Sequence, residues 1–348
     1  MKKTLVLFLL LFGITQIYAQ KKKTKTVKRT FISKIITAPK VSPFAKLSAN
    51  NAFTINTVCV SPDGKQILSS GDDGEVRHWD IATLTQTESF TGDRNNDGII
   101  YPVTGVAYSP DGKTYVSAQK GFLPKLWDTT SRTVIKRINQ NGADVYSLAY
   151  SPDGVLIAFG NYGSITISNL PLGTQLEIAM PEKSEVISVE FSPNNQYLIA
   201  VTNNQEISLW DVNTGAKIRN FDIHNYDKDV EYATDVVFTT DGKMIITAGF
   251  NKNPYQGIIK MWNVNDGRLV RGMADGQRVD CLAISRDGLK LATGNSDHTV
   301  KIWELATGKL LWILVGVKNY VKSVTFSPDG QTVVASSTNG AINLWKTN

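Results

Sequence analysis

Seven copies of one serine-led turn, spaced 41 to 48 residues apart with room for four short strands in each interval, predict an all-β fold, a seven-bladed β-propeller of four-stranded antiparallel blades. The copies begin at Ser61, Ser109, Ser151, Ser192, Thr239, Ser285 and Ser327. A second observation is the residue eighteen places after each start: Trp79, Trp127, Asn169, Trp210, Trp303 and Trp345, with Trp262 reached after a five-residue insertion. The third is that the last copy is one strand short, while a strand-like segment stands unclaimed ahead of the first copy.

The unit Ser61 to Asp80 explains the strands. Ser61-Pro62-Asp63-Gly64 has turn chemistry: Ser accepts from the backbone, Pro presets φ, and Gly closes the turn at little steric cost. Lys65 to Ser70 carries apolar and small residues at strand spacing, Gly71-Asp72-Asp73-Gly74 is a second turn, and Glu75 to Trp79 a second strand. A hairpin alone cannot bury its faces, so the repeat must pack against itself. Large residues one place before each serine (Val60, Tyr108, Tyr150, Phe191, Phe238, Ile284, Phe326) alternate with small ones (Cys59, Ala107, Ala149, Ala283), which lets neighbouring blades nest. Glu190 breaks that pattern; of its two readings, a residue facing the axial channel or a solvated edge carboxylate, the second is expected, because burying an unpaired charge is costly. Cys59 and Cys281 fall on inner strands two blades apart and read as reduced packing residues.

The Trp-Asp pairs at Trp79-Asp80, Trp127-Asp128 and Trp210-Asp211, with their SPDG turns, resemble the WD-repeat (β-transducin-like) family over residues 43–348. The chain is read as a bacterial, exported member of that family, a seven-bladed propeller. The resemblance also implies a buried network of a His before the inner strand, an Asp in the second turn, and the Trp. Asp73 and Asp297 match the Asp position, but neither has the matching His; His224 lies near a His position whose unit carries Gln256 in place of Asp. Blade three, with Asn169 for Trp, is the weakest unit.

Ahead of the propeller, residues 1–19 have the positive start, apolar middle and Ala19 boundary of a signal peptide, too short to span a bilayer of about 30 Å. The protein is therefore expected to be exported, to the periplasm or the extracellular space. Residues 20–42 read as a basic flexible linker, suited to contact with an anionic envelope surface. Without the first 40 residues the chain holds 27 Lys and Arg against 31 Asp and Glu, so the charge of +6 belongs to the tail and no nucleic-acid partner is expected. Pro43 to Leu47 stands where an outer strand should, and is expected to complete the last blade and bury Phe44 and Leu47. Deletion of residues 41–50 is then expected to unfold the ring.

Catalytic signatures are absent: His78, His224 and His298 are scattered, and neither a nucleophile elbow nor a phosphate loop occurs, so the chain reads as a non-enzyme. Function is expected on the loops. Two regions of one rim are over-long, Thr91 to Pro102 with Gln119 to Pro124, and Asp222 to Thr234 with Phe250 to Gly257. They offer Arg94, Tyr101, Phe122, His224, Tyr226, Asp229, Tyr232, Phe250, Lys252 and Tyr255, a mixture of aromatic and charged groups that protein interfaces favour. Asp93, Asn95, Asp97 and Ile99 open like a calcium loop, although the later bidentate Glu is missing, and no other cofactor is expected. The reading is a monomeric, non-catalytic protein-interaction scaffold. Its alternatives are a propeller enzyme or ligand binder using the axial channel, and a calcium-stabilised envelope or adhesive protein.

Overall fold

Each serine-led turn joins the first two strands of one antiparallel sheet. A computed structural model describes residues 38–49, 53–139, 144–180, 183–222, 231–252 and 255–347, with Glu231 described for its backbone alone. The first six blades run, from axis to outside, Ile55–Val60, Gln66–Gly71, Glu75–Asp80 and Thr85–Thr91; Val103–Tyr108, Thr114–Gln119, Lys125–Asp128 and Val134–Arg137; Ser147–Tyr150, Leu156–Gly160, Ser164–Asn169 and Gln175–Ala179; Val186–Phe191, Tyr197–Thr202, Ile207–Asp211 and Lys217–Asn220; Glu231–Phe238, Met244–Lys252, Tyr255–Asn263 and Leu269–Ala274; and Val279–Ile284, Lys290–Asn295, Val300–Glu304 and Lys309–Leu314. The seventh blade takes Val321–Phe326, Thr332–Ser337 and Ala341–Lys346 from the end of the chain and Ala45–Ser48 from its front. The protein is thus a seven-bladed, all-β propeller. No helix occurs among the described residues, and none there is long and apolar enough to cross a membrane.

The serine turns form as their residues dictate. Gly64 N donates to Ser61 O (2.8 Å), the Ser61 hydroxyl donates to Asp63 Oδ1 (2.6 Å) and accepts from Gln66 N (2.9 Å), and Gly64 sits at φ +74°. That left-handed backbone favours Gly and tolerates Asn, which is why Asn195 (φ 61°) can replace Gly in the fourth copy.

The core lies between blades. Among the described residues seven apolar clusters occur, one at each blade interface, in place of a single central core. Side chains of the inner strands also bond from blade to blade around the axis: Thr57 Oγ1 to Thr104 O, Thr104 Oγ1 to Val145 O, Ser147 Oγ to Val186 O, Ser188 Oγ to Asp235, and Thr234 Oγ1 to Val279 O. Polar atoms that would otherwise be orphaned by packing are thereby satisfied.

The ring closes through the front of the chain. Ala45, Lys46, Leu47 and Ser48 pair antiparallel with Leu344, Asn343, Ile342 and Ala341, and Ala45 and Leu47 enter the cluster shared by blades seven and one. Four details differ from expectation. Phe44 is 47% exposed, because strand alternation turns Ala45 and Leu47 inward and Phe44 outward beneath the Lys346 ammonium, 5.2 Å from its ring centre. The expected linker ends before residue 42: Lys40–Val41 pair in parallel with Ile313 and Leu314, adding a fifth strand to blade six. In blade three the second turn is one residue shorter, so Ile157 faces Ser168 where Ile67 faces Trp79. Ser168 therefore holds the Trp position, and Asn169 the Asp position, its Oδ1 accepting from Leu172 N (3.0 Å) as Asp80 accepts from Thr83 N (2.7 Å).

Glu190 is the fourth difference. It is half-buried between blades four and five, its Oε2 accepting from Phe238 N at 2.6 Å. Burial, reinforced by the Asp235 carboxyl, pushes its pKa up to about 8. His78 is perturbed in the other direction, to about 4, because it is sealed between blades one and two with Nε2 3.3 Å from the Tyr115 hydroxyl. The signs oppose. Stability carried by protonated Glu190 is whole below its ordinary 4.5 and is lost as pH rises through about 8, while stability carried by neutral His78 is whole above 6.5 and is lost as pH falls through about 4. Glu190→Gln is expected to stabilise the fold by on the order of 3 kcal/mol at neutral pH. It should also flatten the alkaline arm of a plot of Tm against pH while leaving the acid arm in place. An alkaline arm that survives the substitution would assign it to another group.

Candidate functional site

The loops from each outer strand to the next inner strand share one rim with the turns between second and third strands. On blade five the insertion does not form a loose loop. It extends three strands: Phe250 pairs with Gly257, Asn251 with Gln256 and Lys252 with Tyr255, while Tyr232 pairs with Phe250 and Glu231 with Asn251. Three added pairs at a strand rise of about 3.4 Å carry the tip roughly 10 Å further along the ladder.

The sequence allows this because Gly sits at two crowded points. A Cβ on Gly249 would lie 1.8 Å from Tyr232 O, and one on Gly257 1.8 Å from Gln277 O in the loop entering blade six. Glycine alone permits those approaches, so the hairpin is clamped between its own inner strand and its neighbour.

The extension brings the expected aromatics together. Tyr232 and Phe250 stack with centroids 4.9 Å apart and planes at 11°, and Tyr255 leans on Phe250 at 5.3 Å. The Arg278 guanidinium lies over the Phe250 ring at 4.9 Å and is ion-paired with Asp280 at 2.6 Å. Arg278 was not anticipated, since only the fold places the blade-six loop beside the blade-five hairpin. Tyr255 and Lys252 are exposed at the tip, whereas Tyr232 and Phe250 are half-buried supports. His224, Tyr226 and Asp229 lie outside the described residues.

The blade-two region is a smaller feature of the same rim. Tyr101 and Phe122 meet at 6.3 Å, and Arg94 donates to Gly98 O at 2.9 Å. The side chains of the expected calcium loop are taken up by other contacts in this structure. Asp93 takes Lys125 Nζ at 2.8 Å and a two-pronged contact from Arg137 (2.5 and 3.1 Å), and this bonding holds its carboxyl down at about 2. Asn95 Oδ1 accepts from the amides of Asp97 (3.0 Å) and Ile99 (2.8 Å), and Ile99 O accepts from Asn95 N (3.0 Å). Of the four ligand oxygens expected, only the Asp97 carboxylate stands outside those bonds, so in this structure the oxygens do not converge on one point. Among the described residues no group of three His, Cys, Asp or Glu has metal-binding geometry.

Asp93 instead serves a structural purpose that recurs in blade six. There Asp275 stands before the inner strand, where the resemblance implies His. Fully buried, it pairs with Lys301 Nζ and accepts from Thr293 Oγ1 (2.9 Å) and Asn295 Nδ2. Lys125 and Lys301 each lie two residues before the blade Trp, whose indole donates to a hydroxyl of the second strand, Trp127 to Ser117 (2.9 Å) and Trp303 to Thr293 (3.2 Å). Asp73 pairs with Arg77 in blade one by the same logic. A basic residue two places before a buried Trp was the available sequence signal, since such a charge requires an acid nearby.

Comparison with known proteins agrees with this anatomy. The family model described as WD domain, G-beta repeat, matches residues 42–80, 176–211, 269–304 and 308–346. Four stretches of the chain thus match the WD repeat. Each matched stretch takes an outer strand with the three inner strands of the following blade, so the WD repeat is out of phase with the blade by one strand. Similar proteins are "Apoptotic protease-activating factor 1" of Rattus norvegicus, 24% identical over 84% of this chain and 22% of its own length, and "Cilia- and flagella-associated protein 52" of Homo sapiens, 26% identical over 70% of this chain and 38% of its own. "WD repeat-containing protein 26 homolog" of Arabidopsis thaliana is 24% identical over 82% of this chain and 47% of its own length. The chain thus spans less than half of each of these relatives.

Proposed function

We propose that this WD-repeat propeller is a non-catalytic scaffold that binds a protein partner through the blade-five rim, as a monomer in the periplasm or outside a bacterial cell. The observation that carries the reading is the conversion of an insertion into a clamped, aromatic-faced hairpin. Interface energy concentrates in aromatic and Arg side chains at a few positions. Holding Tyr232, Phe250 and Arg278 in contact before binding removes part of the ordering entropy that a free loop would lose. The exposed Tyr255 and Lys252 then supply contact area and a charge at the tip. Export rests on residues 1–19, and the basic stretch 20–42 is proposed to rest against anionic envelope polymers.

The test is affinity purification from the native envelope with the intact protein and with Lys252→Ala/Tyr255→Ala, whose side chains are exposed enough to leave the fold unchanged. The expected outcome is a partner recovered with the first and reduced about tenfold or more with the second, as truncating a central aromatic contact costs about 2 kcal/mol. Equal recovery of every partner would remove the hairpin as the principal site.

A further inference from the structure

We infer that the mouth of the axial channel on the serine-turn face, opposite the rim, is a second binding site, one that takes an apolar carboxylate with its charged end on Arg286. Two cavities open there, of about 470 and 350 Å³. The first is lined from blades three to six and the second from blades six, seven, one and two, and they share Ile284 and Arg286. A space touched by that many blades lies on the axis. Each volume falls in the range of small-ligand sites.

The second residue of all seven turns reaches these cavities: Pro62, Pro110, Pro152, Pro193 and Pro328, with Thr240 and Arg286 at the two departures. The mouth is therefore an apolar collar carrying one cation. Arg286 is exposed and makes no hydrogen bond or ion pair among the described residues. The neighbouring turn aspartates are engaged otherwise, Asp153, Asp241 and Asp287 each accepting from the Ser or Thr that opens its turn (2.6, 2.6 and 2.5 Å). A guanidinium with a free planar fork is suited to a carboxylate.

Glu190, which breaks the small-residue pattern of the inner strands, faces the same cavity. The amide it bonds, Phe238 N, is on the free inner edge of its strand, since the next amide, Thr239 N, is the one that pairs with Met244 O. The carboxyl therefore stands at the channel wall. Burial keeps it protonated at neutral pH, so it presents a hydroxyl donor and not a charge opposing an anion. The charged groups around it are Asp235 of blade five, held by Ser188 Oγ (2.7 Å), Leu282 N (2.8 Å) and Val236 N (2.9 Å), and Arg286 of blade six.

Titration calorimetry on the full chain tests the site, using octanoate and the peptide Ala-Phe-Leu as free acid and as C-terminal amide. Saturable binding of octanoate, of the peptide acid, or of both is expected. Octanoate alone identifies a free acid as the ligand, and the peptide acid identifies the C-terminus of another chain. Affinity should fall about tenfold or more in Arg286→Ala and in Arg286→Pro, the latter restoring the residue found in the same turn elsewhere in the ring. It should be unchanged in Tyr255→Ala. Between pH 7 and pH 9 affinity should fall as Glu190 ionises near 8, and Glu190→Gln should remove that fall. No saturable binding up to about 5 mM, affinity in both Arg286 variants unchanged from that of the intact protein, or equal binding of acid and amide would overturn the inference.

Discussion

Deletion of residues 41–50 is expected to abolish cooperative unfolding at the temperature where the intact propeller melts, and to yield an aggregating protein. The segment supplies a ladder of four residue pairs to blade seven, flanked by bonds from Phe44 N to Leu344 O (2.9 Å) and from Ala49 N to Gly340 O (3.2 Å). Each contributes about 1 kcal/mol net. Leu47, 3% exposed, adds about 2 kcal/mol of burial, and its removal opens the interface to blade one. The sum approaches the whole stability of an ordinary domain, about 5–15 kcal/mol. Deletion also bares the Ala341–Lys346 edge, a template for intermolecular pairing. Point variants give a graded readout in urea denaturation. Leu47→Ala should cost about 2–4 kcal/mol, whereas Phe44→Ala should cost less than about 1, since its ring is half in solvent. An unchanged Tm for the deletion, or a Phe44 effect equal to that of Leu47, would show that the ring does not depend on this strand.

Lys301→Ala is expected to destabilise the protein by about 3–5 kcal/mol, more than any exposed ion pair in the chain would. Lys301 is buried and touches Asp275, also fully buried, through both its carboxylate and its carbonyl (2.8 Å). Removing the ammonium strands a carboxylate in low dielectric that Thr293 and Asn295 alone must satisfy. Asp275→Asn in the same background should recover much of the loss, because an amide needs no counter-charge. A double-mutant cycle by chemical denaturation measures the coupling. Additive effects of the two changes would mean that the pair carries no interaction energy of its own.

The contrast between Leu47 and Phe44 shows how far local pattern reaches. The repeat period, the turn residues and the missing outer strand sufficed to place Ala45–Ser48 on blade seven, because hydrogen-bond closure leaves few places for an unpaired strand. Which face of that strand points inward depends on register, and a one-residue difference exchanges the faces. The same one-residue sensitivity moved the Trp position of blade three from Asn169 to Ser168. On the rim, the grouping of Tyr232, Phe250 and Tyr255 followed from their being cross-strand neighbours in one hairpin. Arg278 came from the next blade and was invisible to local reading. The contacts of Asp93 were hidden for a similar reason, its partners Lys125 and Arg137 being 32 and 44 residues further along the chain.

By itself the sequence determined the number of blades, their order and the segment that closes them. These are consequences of repetition and of short-range turn chemistry, which each unit carries complete within itself. The tertiary structure alone decided which charges meet: Asp275 with Lys301, Asp93 with Arg137, and Glu190 with the channel wall. Electrostatic energy depends on the distance and burial of groups that only the closed ring brings together, and no spacing along the chain encodes either quantity.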